Sequence, residues 1–218
     1  MKNSMATSFL SQEEIEKVTF SVQEAEKKSS GEIVPMIVSK SYSYPLATHL
    51  GALLTSIPCS LLITPLLAER FNAETISYLI FLLVMSMLYL LFTLVIPHIP
   101  LLHKLFIPEK HIEEEVQEGA ITSFFSEQLY KTEKENGVLL YISVFERRVW
   151  ILGDAGINAV IPPDFWNTIV IELTNDIKSG NRGQGICKAV EKIGEALTSH
   201  FPAEKDDIDE LHNLIIKD

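Results

Sequence analysis

The hydrophobic pattern of the chain changes character twice. Up to residue 40 and beyond residue 103, apolar positions recur at helical or strand spacing among charges. Between them no Asp, Glu, Lys or Arg occurs from Ser41 to Ala68, and none from Thr75 to His103. Glu69, Arg70 and Glu74 are the only charges separating the two stretches. About 20 apolar residues in a helix cross the hydrocarbon core of a bilayer. Ile76 to Ile96 supplies 21 uncharged residues dominated by Leu, Ile, Val, Met and Phe. Pro45 to Leu67 is weaker, because it contains His49, Pro58, Pro65 and several Ser and Thr residues. Proline is tolerated inside a membrane helix, usually as a kink. The short link AERFNAET predicts a two-helix transmembrane hairpin over residues 41–103, with spans at about 46–67 and 76–96. A buried pair of core helices or a re-entrant segment are the competing readings. Gly51 and Ser56 are small enough to face the partner helix. Tyr42, Tyr44 and Tyr78 fall near the span ends, where interfacial aromatics belong. His49 and His98 have no acidic partner inside a span and read as helix-end or packing residues. No intramembrane charge marks an ion pathway, which argues against a transporter.

Outside the hairpin the periods alternate. Leu10 to Ser29 predicts a helix, with Ser11 and Glu14 as a capping box and Ile15, Val18, Val22 and Ala25 on one face. Glu32 to Ser39 predicts a strand in which Pro35 argues for an edge or an early position. His111 to Lys131 reads as a helix, and Gly137 to Val144 as a buried strand. Glu146-Arg147 forms a tight turn into a strand at Arg148 to Leu152. Asn158 to Ile161 is a short turn or helix. Asp164 is a candidate cap for a helix over Phe165 to Lys178, and Gln184 to His200 is the last long helix. The tail from Ala203 to Asp218 reads as a peripheral helix or a partly ordered segment. This order predicts an α/β sandwich with a small mixed sheet, interrupted by the hairpin. Residues 1–40 supply its first helix and strand, 104–202 the remainder, and 203–218 an acidic tail.

Charge sharpens this division. Of the formal charge of -11, the segment 41–103 carries -1 and the other 155 residues carry -10. So acidic a domain excludes broad binding to nucleic-acid phosphates. Cys59 and Cys187 are isolated, which fits neither a disulfide scaffold nor a zinc site. The N-terminus lacks a signal-peptide pattern. Lys17, Lys27, Lys28 and Lys40 precede the hairpin, Lys104 and Lys110 follow it, and Arg70 is the only basic residue of the link. The excess places both termini and the soluble domain on the cytoplasmic side of the membrane.

Candidate chemistry gathers at one end of the expected sheet. Glu32 opens the first strand, Asn136 precedes the second and Asp154 follows the third, with Glu133 and Glu135 close by. Antiparallel pairing brings Asn136 towards Asp154. Carboxylate and amide oxygens suit Ca²⁺ or Mg²⁺. The competing reading makes Gly137, Gly153 and Gly156 turn residues and Asp154 a helix cap. Arg147 and Arg148 are candidate phosphate ligands, or one pairs with Glu146 and the other is solvated. SGNRGQG, from Ser179 to Gly185, joins two helices and matches no nucleotide-binding loop. Cys187 has no His-Asp arrangement, and the six histidines form no metal-ligand spacing.

Certain stretches carry a family resemblance. SSGEIVPMIV from Ser29 to Val38, NGVLL followed by ERRVWI and GDAGI within Phe125 to Ile161, Trp166, and the SGNRGQGICKAVEKIGEALTSHFP stretch from Ser179 resemble the TPM domain family. Its members include thylakoid lumen and photosystem repair proteins and MOLO. The likeness is to the membrane-anchored bacterial branch and covers nearly everything outside the hairpin. It implies an α/β sandwich, with acid phosphatase activity in some plant members and divalent-metal binding in others. Better known members face a lumen or periplasm, whereas the charge pattern here points to the cytoplasm. Two functions follow as expectations. One is a membrane-anchored module that binds a protein partner, a second copy or a divalent cation in membrane maintenance. The other is a metal-assisted acid phosphatase using Asp154, Asn136 and Glu32.

Overall fold

The computed structural model describes residues 4–72, 74–132, 134–203 and 211–218. They form two compact units, one of residues up to Tyr42 together with Glu113–Asp218, the other of Ser43–Ile112.

The first unit is built on four strands. Helix α1 (Gln12–Glu26) starts as the capping pattern requires. The Ser11 hydroxyl accepts the Glu14 N–H at 3.3 Å, and the Glu14 carboxylate accepts the Ser11 N–H at 2.8 Å. Val18, Val22 and Ala25 face inward at helical spacing. Strand β1 (Glu32–Val38) is buried throughout and runs parallel to β2 (Gly137–Ser143), with Glu32 opposite Gly137 and Val38 opposite Ser143. Parallel strands need a long crossover, and the entire second unit lies in that connection. β2 pairs antiparallel with β3 (Arg148–Gly153), and with β4 (Ile215–Lys217) the sheet order is β3-β2-β1-β4.

Alternate side chains send Ile33, Ile37, Val138, Leu140 and Ile142 into a core with α1, α7 (Pro163–Lys178) and α8 (Arg182–His200). At Gly194 of α8, an added Cβ would stand 2.7 Å from the Ala25 Cβ, so glycine permits the close α1–α8 approach. Val34, Met36, Leu139 and Tyr141 are buried on the opposite face. There α5 (Glu109–Ser126) contributes buried Val116, Ala120 and Phe124, with its Gly119 against the Tyr141 hydroxyl.

Five local expectations are corrected. β1 is interior, not an edge. Pro35 is accommodated because β4 covers only Met36–Val38, so the missing N–H costs no ladder bond, and the Glu26 carboxylate takes the neighbouring Ile33 N–H at 3.0 Å. The tail ends in strand β4 (Ile215–Lys217) rather than a helix, and residues 204–210 lie outside the described residues. α5 stops at Ser126, and Leu129–Lys131 is a short 3₁₀ turn entered through Gln128 at φ 61°. α6 (Ala155–Val160) starts earlier than expected, with Asp154 as its N-cap. Asp164 lies in the first turn of α7 and does not cap it. Pro162 occupies the cap position and Pro163 opens the helix, its φ suited to that place.

The second unit contains α2 (Pro45–Arg70), α3 (Ser77–Val95) and the short α4 (Pro100–Leu105). Its pattern is inverted. On α2 the buried residues Thr48, Ala52, Ser56, Ser60, Thr64 and Ala68 recur every four positions. Leu62 and Leu66 of α2 and Leu94 of α3 are 75%, 68% and 70% exposed. The buried hydroxyls satisfy themselves within the helix: Ser56 donates to Leu53 O, Ser60 to Ile57 O and Thr64 to Ser60 O. Gly51 is needed because an added Cβ would meet the Phe106 ring at 2.6 Å. His49 shares a hydrogen bond with the Tyr89 hydroxyl at 3.0 Å, and His98 contacts the Leu94 carbonyl. Both helices are long and apolar enough to cross a membrane, with mean hydropathies of 1.8 and 2.8.

Candidate functional site

The strand register brings Glu32, Asn136 and Asp154 to one end of the sheet. Gly137 is the common neighbour. It stands opposite Glu32 in the β1–β2 ladder, follows Asn136 in sequence, and accepts the Asp154 N–H at 2.9 Å. The Asn136 carbonyl accepts the Glu32 N–H at 3.2 Å, and its side-chain amide donates to the Ser30 carbonyl. The Asn136 N–H donates to the Thr132 hydroxyl at 3.0 Å. Glu32 and Asn136 are buried, whereas Asp154 is half-buried. Asp154 Oδ1 accepts the Ala155 N–H at 2.7 Å at the start of α6. Asp154 Oδ2 is buried with no hydrogen-bond partner among the described residues. Such an oxygen is suited to a hard cation. Among the described residues, no three or more His, Cys, Asp or Glu side chains are grouped to hold a metal.

Glycine makes this end compact. A Cβ on Gly137 would lie 2.6 Å from the Leu129 carbonyl, and one on Gly156 would lie 2.7 Å from the Glu135 carbonyl. Glu135 is exposed, at φ 51°. Glu133 lies outside the described residues.

Arg147 and Arg148 sit at the other end. Arg147 is exposed at φ 56° in the β2–β3 turn, and Arg148 opens β3 opposite Ser143. The seven residues of β2 separate the two ends by about 20 Å at ~3.3 Å per residue. The arginines therefore cannot join Asp154, Asn136 and Glu32 around one phosphate.

Sequence reasoning missed what occupies the arginine end. Glu146 is fully buried. Its carboxylate accepts the Ser41 N–H at 3.0 Å and the Ser143 hydroxyl. The Ser41 hydroxyl in turn meets the Tyr141 hydroxyl at 3.2 Å. Burial pushes the Tyr141 hydroxyl pKa up, and the Glu146 charge adds to the rise, while bonds to Ser41 and Ser123 oppose it. A glutamate in a tight turn normally points to water, so nothing in its local sequence announced this network.

The remaining candidates are used in packing. Gly183 donates its N–H to the Glu14 carboxylate at 3.1 Å, and Arg182 donates to the Phe9 carbonyl while lying 4.9 Å from that ring's centre. The glycine-rich stretch thus docks the N-terminal segment onto α8. Cys187 is half-buried, and burial raises its thiol pKa, which disfavours the reactive thiolate.

Comparison with known proteins agrees with this architecture. The TPM domain model matches residues 105–196. The match runs from the end of α4 into α8 and omits α1 and β1. The NMR structure of the BA42 protein from the psychrophilic bacterium Bizionia argentinensis is similar to this chain at 26% identity and a TM-score of 0.59, over 97% of each chain. No curated protein matches the sequence. The four-stranded mixed sheet and its helices accordingly match the fold of a solved protein over nearly the whole chain, and the likeness to the TPM domain covers residues 105–196.

Proposed function

We propose that this chain is a membrane-anchored TPM-like module. α2 and α3 span the bilayer, and the acidic α/β unit works at the cytoplasmic surface as a binding domain in membrane maintenance. Its partner is a protein, a second copy or a divalent cation. The observation that carries the reading is the inverted hairpin: small residues lie inside and leucines outside, with only 28% and 11% of the most apolar windows of the two helices buried. Water would not tolerate that surface, whereas hydrocarbon does. The lysines flanking both outer ends support the cytoplasmic orientation. Alkaline carbonate extraction of cell membranes tests the anchor, and the chain should remain in the pellet. A cysteine introduced at Lys217 should resist an impermeant thiol reagent in intact cells. Labelling there would reverse the orientation.

Divalent-cation binding draws support from Asp154 Oδ2, a buried oxygen with no hydrogen-bond partner among the described residues. Calorimetric titration of the full chain in detergent with Ca²⁺ and with Mg²⁺ tests it, and heat lost in Asp154→Asn is the expected result. Equal heat in that variant would remove Asp154 from the site. Phosphomonoester hydrolysis is the second reading, supported by the TPM domain match. It would need a phosphate-binding cation other than Arg147 or Arg148, which stand at the far end of the sheet.

A further inference from the structure

We infer that the groove between α2 and α3 at the link end of the hairpin binds one phospholipid with a primary-amine headgroup, its ammonium held by Glu69. The inference rests on the membrane-spanning reading of these helices. The groove is lined by Leu61, Thr64, Pro65, Ala68, Glu69, Ser77, Tyr78 and Phe81, and its volume is about 720 Å³. Small-molecule sites are typically about 300–1,000 Å³ and are mostly apolar with a few polar groups. Here the two kinds of lining separate along the axis. Leu61, Pro65 and Phe81 lie towards the middle of the hairpin, while Glu69, Ser77 and Tyr78 lie at its link end. From Leu61 to Glu69 the wall rises about 12 Å at ~1.5 Å per residue. This length receives the upper part of an acyl chain and leaves its headgroup at Glu69.

The space exists because the facing residues are small. Thr64 and Ala68 on one wall and Ser77 on the other leave volume that leucines at these positions would fill. In a bilayer such a groove fills with lipid, so the question is which headgroup it selects. Two sources of negative potential converge at its mouth. One is the Glu69 carboxylate. The other is the C-terminus of α2, which ends at Arg70 and turns its last carbonyls towards the link. Arg70 is adjacent in sequence but does not line the groove. Tyr78 adds a hydroxyl and a ring face, both attractive to an ammonium group. A glycerol headgroup brings no positive charge. A choline headgroup is cationic but has no N–H to donate to the carboxylate. A glycerol hydroxyl can donate to Glu69 only as a neutral group, whereas an ethanolamine headgroup has both the charge and the donors, so of the three it alone makes a hydrogen bond in which both partners are ionised.

Native mass spectrometry of the full chain tests this after reconstitution into bilayers of phosphatidylglycerol mixed with either phosphatidylethanolamine or phosphatidylcholine. We expect one retained phosphatidylethanolamine per chain, favoured about tenfold over the other two lipids, the scale of one lost charge-assisted bond. Glu69→Gln should abolish that preference without changing the number of lipids retained. Ser77→Leu, which fills the groove, should remove the retained lipid altogether, with helicity by circular dichroism confirming that the hairpin still folds. Equal retention of all three lipids would overturn the inference, as would an unchanged preference in Glu69→Gln. Crosslinking of the groove to a second copy of the hairpin would overturn it too. Failure of the anchor itself is distinguishable: carbonate would then extract the chain from membranes. A chain that resists extraction yet shows no lipid preference loses only this inference.

Discussion

The two units bury opposite kinds of residue. In the α/β unit, Ile33, Ile37, Leu140, Ile142 and Ile193 are inside, and apart from Glu32 and Glu146 the described charges are at least partly exposed. In the hairpin, Ser56, Ser60 and Ala52 are inside and Leu54, Leu62 and Leu83 are outside. On the membrane-anchored reading proposed above, the contrast reflects two solvents. Water expels large apolar side chains, so the α/β unit is held by their burial. Hydrocarbon gives leucine no reason to hide, so hairpin helices associate by close backbone approach through small residues.

Truncating the same residue type in both units should break the comparison most visibly. Leu140→Ala empties a fully buried position in β2 and should cost about 2–5 kcal/mol in thermal or denaturant unfolding of the full chain in detergent. Leu62→Ala, on the outer face of α2, should change that stability by less than about 0.5 kcal/mol. Similar losses at both sites would mean that the hairpin surface is packed against protein.

Enlarging a small residue reverses the ranking. Ser60→Leu in the hairpin interior should weaken α2–α3 association by about 1–3 kcal/mol, read by energy transfer between labelled helix ends. The same exchange at Ser199, exposed on α8, should leave stability nearly unchanged.

Titration sharpens the contrast further. Glu14 accepts the Ser11 N–H in its own helix cap and the Gly183 N–H at the start of α8, and these bonds hold its pKa below the ordinary glutamate range. A depressed folded-state pKa stabilises above the unfolded value, and the contribution disappears as pH falls through the folded value. Acid unfolding should therefore begin in the α/β unit. Glu14→Gln should cost about 1 kcal/mol at neutral pH and flatten the acid limb of the stability curve.

The smallest effect belongs to the tail. Lys217 pairs with Glu127 beside β4, and Ser39 donates to the Asp218 carboxylate at 3.1 Å. Lys217→Ala should cost less than about 1 kcal/mol globally, as partly exposed ion pairs do. It should nevertheless speed amide exchange at Ser39, whose N–H donates to the Lys217 carbonyl at 3.1 Å.

Much of the fold was legible because it rests on local rules. The Ser11–Glu14 capping box, the face of Val18, Val22 and Ala25, and the strands at Glu32, Gly137 and Arg148 all follow from spacing and backbone preference. The candidate site was legible only as a neighbourhood. Antiparallel pairing put Asp154 beside the start of β2, but the use of the Asn136 amide by Ser30 depends on a partner 106 residues away. Pro35 misled because an edge position and an interior strand with a short neighbour satisfy the same missing N–H. The tail misled because Leu211, Leu214 and Ile215 fit a helical stripe as well as an approach to a strand, and only an open ladder position on β1 decides between them.

By itself the sequence determined the separation into an acidic α/β unit and an apolar helix pair, since charge and periodicity are properties of consecutive residues. It also determined the small-residue stripe at four-residue spacing, which one helix carries whatever it faces. Only the tertiary structure decided that β1 is central, that the C-terminus closes the sheet, and that Glu146 is buried against Ser41 and Ser143 while Arg147 points to water. Those outcomes depend on which distant backbone groups remain unpaired once the strands align, and a buried polar group must meet them wherever they fall.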